Sequence, residues 1–397
     1  FSLDFDTIAT DFTFARGSEA TYVDAQGLIQ STNEIGEEEV TNGDYEQSGV
    51  GNAISQSGGI LVNENNQLKI TSDGSSGFSR GVWDTGGSQG EQFLIKADII
   101  SKSGSTRFID ISNNAGQGLV QGTTFSTIIT LGGSGNQIGF GGLNDTSFEL
   151  VIDNVSVKAY KTATNTPRLD YSTGAEAFLL EPQSTNLITQ SEDLTNAFYL
   201  TTGIVTVTES TTLSPDGTGF GYTITPTSSA TNHYFNYNYG QLTVAVGDEV
   251  TYSIFVKPNG YNFIQIASSS GFPAKYQNFE LTGDGVIGTG DISGKTIQKI
   301  GDWYRCSVTE TASGVNPRFL LSPSETVLAT RNPVYSGNGT DGVLGWGVQV
   351  EVGSYATSYI PTSGTTVTRN QETCIDATPE INSEEGVLYF EGAALSA

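Results

Sequence analysis

The stretch LGWGVQVEVG, residues 344–353, alternates apolar with polar or small positions along its whole length. A period of two is the pattern of a β-strand with one face on a core. Far upstream, FELVIDNVSVKAY at 148–160 carries the same alternation. Each is followed by a connection that contains Thr and Pro, KTATNTP at 161–167 and SYATSYIP at 354–361. The two passages read as closing strands of one kind of domain written twice.

Outward from these anchors, alternation dominates. The segments 12–23 (FTFARGSEATYV), 93–101, 107–112, 250–258, 262–268 and 303–310 all predict strands. Gly, Asn, Asp and Ser clusters such as NENN, SDGSSG, SPDG and SGNGTDG separate them. No helical stripe exceeds about two turns; SEDLTNAFY at 191–199 predicts one short helix with Ser191 as its cap. The order of elements then repeats. Residues 90–112 match 247–268 best: in each, a Gly-acid pair opens a strand that ends in a turn around Gly, and a second apolar strand returns.

The totals agree with a chain of β-modules. At 397 residues, two or three domains are expected. Gly is abundant at 49 residues and only 15% of residues are charged, which suits turns and sheets over helices. The 17 Tyr, 20 Phe and 3 Trp need burial, so the chain is not disordered. Antiparallel strands in this number close as two face-to-face sheets, a jelly-roll sandwich. Trp303 and Trp346 are expected in the core of the second one. A net charge of −26 opposes nucleic acid and anionic membrane surfaces. No apolar run reaches the ~18 residues of a membrane span, and no secretory signal is legible. Cys306 and Cys374 fall in different modules and read as isolated thiols. The lack of any Met and the ending LYFEGAALSA, a strand cut short, predict further residues beyond both ends.

Four stretches occur together: FTFARGSEATYVDAQGLIQ, TPRLDYSTGAEAFLLEPQSTNLITQSEDLTNAFY, GDWYRCSVT and WGVQVEVGSYATSYIPTSGTTVTRNQE. Together they resemble a family of bacteriophage virion proteins, tail-fibre, head-fibre or minor structural components with jelly-roll domains like carbohydrate-binding modules. The most specific part is ATSYIPTSGTTVTR at 356–369. In that family the first stretch runs directly into the second. Here residues 36–162 intervene, similar to modules that open with VTNGDF and close with IDNVSV; this chain has VTNGDY at 40–45 and IDNVSV at 152–157.

The resemblance implies an all-β architecture of tandem antiparallel β-sandwich (jelly-roll) modules, one inserted into a small split β-unit. Residues 1–35 and 163–187 form the split N-terminal unit, 36–162 the inserted module, and 188–362 the second module. Residues 363–397 form a linker and the start of a lectin-like module. An insertion in a surface turn is tolerated because its ends lie close. The resemblance further implies a place on the phage particle after synthesis in the host cytoplasm. The implied partners are capsid, portal or tail proteins, further copies of itself as a homotrimer, and a host surface glycan. Nucleic acid binding and membrane insertion are not expected.

No catalytic group declares itself. The one His, His233, lacks a G-x-S-x-G partner, and a zinc site needs more His or Cys. Paired carboxylates can hydrolyse glycans, but the densest acidic run, 37–39, lies at a module junction and reads as a solvated link. The turns 214–219 and 336–342 offer oxygens without the EF-hand spacing, so no cofactor is expected; a structural Ca²⁺ would have to use backbone carbonyls. The expected class is therefore a non-enzymatic binding component. A tail-spike polysaccharide depolymerase and a purely architectural spacer are the two alternatives. The candidate sugar contacts are Trp83, in the turn-rich RGVWDTGGSQG, and His233, Tyr234, Tyr237 and Tyr239, in NHYFNYNYG. Aromatic faces stack on sugars and Asn amides meet hydroxyls. Read as a strand, this stretch puts His233, Phe235, Tyr237 and Tyr239 on one face and Tyr234 on the other.

Overall fold

The computed structural model describes residues 13–74, 78–113, 115–118, 124–133, 135–143, 148–200, 204–238 and 240–375. The chain divides into two compact units, Asn33–Thr162 and Phe1–Thr32 with Ala163–Ala397. Every pairing between strands is antiparallel, and the described residues contain no helix. The architecture is all-β, with several antiparallel sheets in sandwich-like units.

In the unit Asn33–Thr162, one sheet runs Thr124–Thr130, Gln92–Ser103, Glu149–Lys161, Gln67–Ser72, Gly59–Glu64, with Glu34–Glu38 also on Glu149–Lys161. The other runs Ala115–Gly118, Thr106–Asp110, Gln137–Leu143, Phe78–Asp84, Ile54–Gln56. One apolar cluster between them holds Leu68, Ile70, Ile95, Phe108, Phe140, Ile152 and Val157.

The larger unit repeats this wiring. Its first sheet runs Val205–Leu213, Phe220–Pro226, Gly342–Val352, Glu249–Asn259, Trp303–Thr311, Gly294–Ile300. The second runs Val286–Gly290, Tyr276–Glu280, Phe263–Ser269, Arg318–Ser324. In both units the closing strand lies mid-sheet beside a long strand, Gln92–Ser103 or Glu249–Asn259. In both, the next strand, Thr106–Asp110 or Phe263–Ser269, crosses to the other sheet. Ile254, Val348 and Val350 from one sheet and Ile264, Phe279 and Leu321 from the other share one core.

The anchor strand is not a simple alternation. Val343, Val348 and Val350 face the inner core, whereas Leu344 and Trp346 face a second apolar cluster on the opposite side of the sheet. The phase changes at Gly347, where the pairing slips between Ser253 and Phe255 and φ is 65°. A β-bulge with glycine in the left-handed region does this: it spends one extra residue and re-aims the side chains after it. The second cluster joins Phe255, Ile300, Trp303, Leu344, Trp346 and Tyr359 to Val23 and Ile29. The last two come from the hairpin Thr21–Val23 with Ile29–Ser31. Both tryptophans are therefore core residues, but of this outer core.

The expected single strand at 12–23 is broken. Thr13–Ala15 pairs with Thr373–Ile375, Thr21–Val23 pairs with Ile29–Ser31, and Arg16 between them turns inward. Its guanidinium lies 2.7 Å from Glu372, which also receives Arg168 at 2.5 Å; Arg168 lies 2.8 Å from Glu181, and Arg369 lies 3.2 Å from Glu181. None of these side chains is more than 4% exposed. Burial pushes the Glu181 carboxyl up, but Arg369, Arg168 and the Ser358 hydroxyl outweigh it and hold it below its ordinary value. The stretch 356–369 serves the same frame. Thr357 donates to Glu351, Ser358 to Glu181, the Ile360 amide to Gln349 and the Thr362 amide to Ser191.

The expected helix at 191–199 does not form. Asp193 accepts the Thr195 amide and Asn196 the Phe198 amide, each in a local turn, and Ser191 is taken by Thr362 and Tyr359. Short polar side chains that capture nearby amides compete with helix in this way. Cys306 is buried, Cys374 half-buried, and both are free thiols.

Gly347→Ala places a Cβ 3.0 Å from Phe255 at a left-handed φ, so the urea midpoint should fall by the equivalent of about 1–2 kcal/mol or more; an unchanged midpoint contradicts the bulge's role. Glu372→Ala strands two buried guanidinia and should cost about 3–5 kcal/mol in the same assay. Because Glu181 is depressed in the folded state, its contribution is complete above the ordinary value of 4.5 and is lost as pH falls through the lower folded value. Urea midpoints of wild type should decline over that acid range, and Glu181→Gln should flatten the decline.

Candidate functional site

The sequence-derived sugar contacts are mostly interior. Trp83 lies within the strand Phe78–Asp84, opposite Ile138, fully buried, with its ring 6.0 Å from Phe140. Gly81 inside the strand and Gly86 and Gly87 just after it give the segment the composition of a turn; the ring is core and shows no face to a ligand. Tyr237 is 2% exposed; its hydroxyl donates to the Pro317 carbonyl and accepts the Phe319 amide. Tyr234 is half-buried. Tyr239 lies outside the described residues. The stretch is not one alternating strand either: only Thr231–Asn232 and Asn236–Tyr237 are strands, and Phe235, Asn236 and Tyr237 are all buried.

His233 leads to a surface that single-sequence reasoning missed. It is fully buried, with Nδ1 2.5 Å from the Ile204 carbonyl and Nε2 3.0 Å from the Tyr335 carbonyl. A carbonyl faces each ring nitrogen, and the tautomer decides which of the two nitrogens donates. The imidazole also packs edge-on to the Tyr335 ring, centroids 4.8 Å apart. Tyr335, half-buried, meets half-buried Tyr261 at 6.0 Å with the ring planes 55° apart. Neither tyrosine stands near the other or near His233 in sequence, so no spacing marked the pair.

Several local features fix these rings. Val334–Tyr335 pairs with Thr231–Asn232, the Tyr335 hydroxyl donates to the Pro323 carbonyl at 2.7 Å, and the Tyr261 amide donates to the Gly342 carbonyl at 3.1 Å. Gly260 has φ 100°, and a Cβ there would fall 2.4 Å from the Asp341 Cβ. Only glycine lets the chain before Tyr261 lie this close to Asp341. Exposed Asp341 accepts the Asn338 amide at 2.7 Å, and exposed Glu325 follows Pro323 by two residues. Burial raises the Tyr261 phenol, with Glu325 and Asp341 adding; burial also raises Tyr335, with Tyr261 and Glu325 adding. The result is a tilted aromatic pair, partly open to solvent and flanked by two carboxylates.

Other polar surfaces are committed to the fold. An open concavity of about 380 Å³ is lined by Glu38, Asn42, Asp44, Gln47 and Asn154. Asn42 there holds the Gln47 and Gly49 carbonyls, and Glu38 accepts the Val157 amide. In the turn at 214–219, Asp216 accepts from Ser214 and Thr218, so its oxygens serve the turn itself. Among the described residues no group of three or more His, Cys, Asp or Glu could hold a metal ion.

Among solved structures, the chain is similar to the N-terminal CBM22-1-CBM22-2 tandem domain of Paenibacillus barcinonensis Xyn10C, with 11% identity, 81% of this chain and 98% of that one covered, and a TM-score of 0.29. No family model matches the chain, and no curated protein does.

His233→Phe keeps an aromatic ring, a bulkier one, and removes both carbonyl contacts. It should destabilise the protein by about 1–3 kcal/mol, from the lost polar contacts and the larger ring in a fully buried site, measured by urea unfolding. No loss would show that the contacts contribute nothing.

Proposed function

We propose that this chain is a non-catalytic structural component of a bacteriophage virion, a tail or head fibre or decoration, and that it contacts host surface glycans through the Tyr261–Tyr335 surface. The observation that carries the glycan contact is that pair: two half-buried rings held in fixed orientation beside the exposed carboxylates of Glu325 and Asp341. Rigid aromatic faces stack on the apolar faces of sugars, and carboxylates and carboxamides take the hydroxyls. The virion setting rests on the motifs at 12–30, 166–199, 301–309 and 346–372. On the same reading the protein is a homotrimer on the particle surface, bound to capsid, portal or tail proteins and made in the host cytoplasm.

We read the unit Asn33–Thr162 as a jelly-roll module inserted into a split β-unit. One contact supports this: the Arg16 guanidinium donates both to Thr32 at 3.1 Å and to the Thr166 carbonyl at 2.9 Å. The chain ends on either side of the insertion thus meet at one side chain, as a tolerated insertion requires.

A depolymerase is the second reading, because Glu325 and Asp341 beside an aromatic pair are the residue types that glycoside hydrolysis uses. Incubation of the purified protein with host capsular or wall polysaccharide separates the two. Binding without new reducing ends is expected, with binding lost in Tyr261→Ala. New reducing ends that disappear in Glu325→Gln would replace the proposal with the enzyme. Tight association with virions and no glycan binding would leave only an architectural spacer.

A further inference from the structure

We infer that the saccharide taken by the Tyr261–Tyr335 surface carries a protonated amine, and that acidic polysaccharides are rejected there. This rests on the reading of that surface as a glycan contact and names its ligand class.

The face of an aromatic ring is the negative pole of its quadrupole, so it attracts a cation placed over it. Two such rings lie 6.0 Å apart at a 55° tilt, which makes an open corner and not a flat platform. Both carboxylates at its rim are exposed. Asp341 is drawn up to the chain at Gly260, and its hydrogen bond comes from the neutral amide of Asn338. Glu325 sits two residues beyond the carbonyl that anchors the Tyr335 hydroxyl. The charges that act on the Tyr261 phenol are those of Glu325 and Asp341, with no Lys or Arg among them. Tyr335 feels Glu325 and Tyr261. A ligand on these rings thus meets two negative charges and two electron-rich faces. The wider field has the same sign, with a net charge of −26. A uronate or phosphate-bearing glycan would be opposed by every one of these features. An amino sugar stacks its apolar face on one ring and sets its ammonium between the ring faces and the carboxylates.

The test uses the full chain and three probes in calorimetric titrations: a glucosamine oligomer with free amines, its fully N-acetylated counterpart of equal length, and an oligogalacturonate. The free-amine oligomer should bind about fivefold tighter than the acetylated one, or more, the equivalent of ~1 kcal/mol for one exposed ion pair. Oligogalacturonate should not bind. The preference should shrink as salt rises. Glu325→Gln with Asp341→Asn should bring the two glucosamine oligomers to within about a factor of two of each other, since the ion-pair contribution is gone. This variant removes only two of the many negative charges, so a preference that survives it reflects general attraction to an acidic protein and overturns the inference. Equal binding of the first two oligomers, lost in Tyr261→Ala, would leave the glycan contact standing and the charge inference wrong. Binding of none of them, or binding insensitive to Tyr261→Ala, would overturn both.

Discussion

The buried carboxylate of Glu372, gripped by Arg16 and Arg168, is the constraint around which the larger unit is arranged. Arg16, the pair Arg168 and Glu181, and the pair Arg369 and Glu372 come from three separate parts of the chain and belong to or adjoin short elements with little sheet of their own. Removing such charges from water is costly, and the cost is offset only when all partners arrive together in good geometry. The hairpin Thr21–Val23 with Ile29–Ser31 is thereby fixed over the outer face of the six-stranded sheet, where Val23 and Ile29 cover Trp303 and Trp346. A face that would otherwise meet solvent becomes a second core. The bulge at Gly347 completes the arrangement, since it lets one strand feed Trp346 to one core and Val348 to the other.

Much of the stretch 356–369, the most specific part of the resemblance, is engaged by this frame. Thr357, Ser358 and the Ile360 and Thr362 amides bond to Glu351, Glu181, Gln349 and Ser191, all buried, while Ser363, Thr365, Thr366 and Thr368 are exposed. A motif can thus be specific because it must satisfy a particular buried polar lattice. The Tyr261–Tyr335 pair lies outside this stretch.

What the sequence disclosed follows from how local each feature is. Period-two patterning located the strands now seen as Gln92–Ser103, Thr106–Asp110, Glu249–Asn259, Phe263–Ser269 and Trp303–Thr311. The match of 90–112 with 247–268 corresponds to one sheet-crossing pair present in both units. Three things were not legible. The break at Arg16 depends on an acid more than three hundred residues away. The phase change at Gly347 looks, in sequence, like one more small residue in an alternation. The aromatic pair joins Tyr261, in a loop, to Tyr335, on a two-residue strand, with His233 packed behind it, and reading the run 233–239 as an exposed strand could not show that His233, Phe235 and Tyr237 are buried. Burial, which decides whether a ring can meet a sugar, is a tertiary property.

Native-state hydrogen exchange tests the central claim, that the hairpin is locked to the sheet as one cooperative body. The amides of Val23 and Ile29 should open with the same free energy as the amides at the centre of Gly342–Val352, because the buried charges and the outer core join them in one unfolding unit. Exchange of the hairpin through a separate opening, several kcal/mol below that of the central strand, would contradict the account.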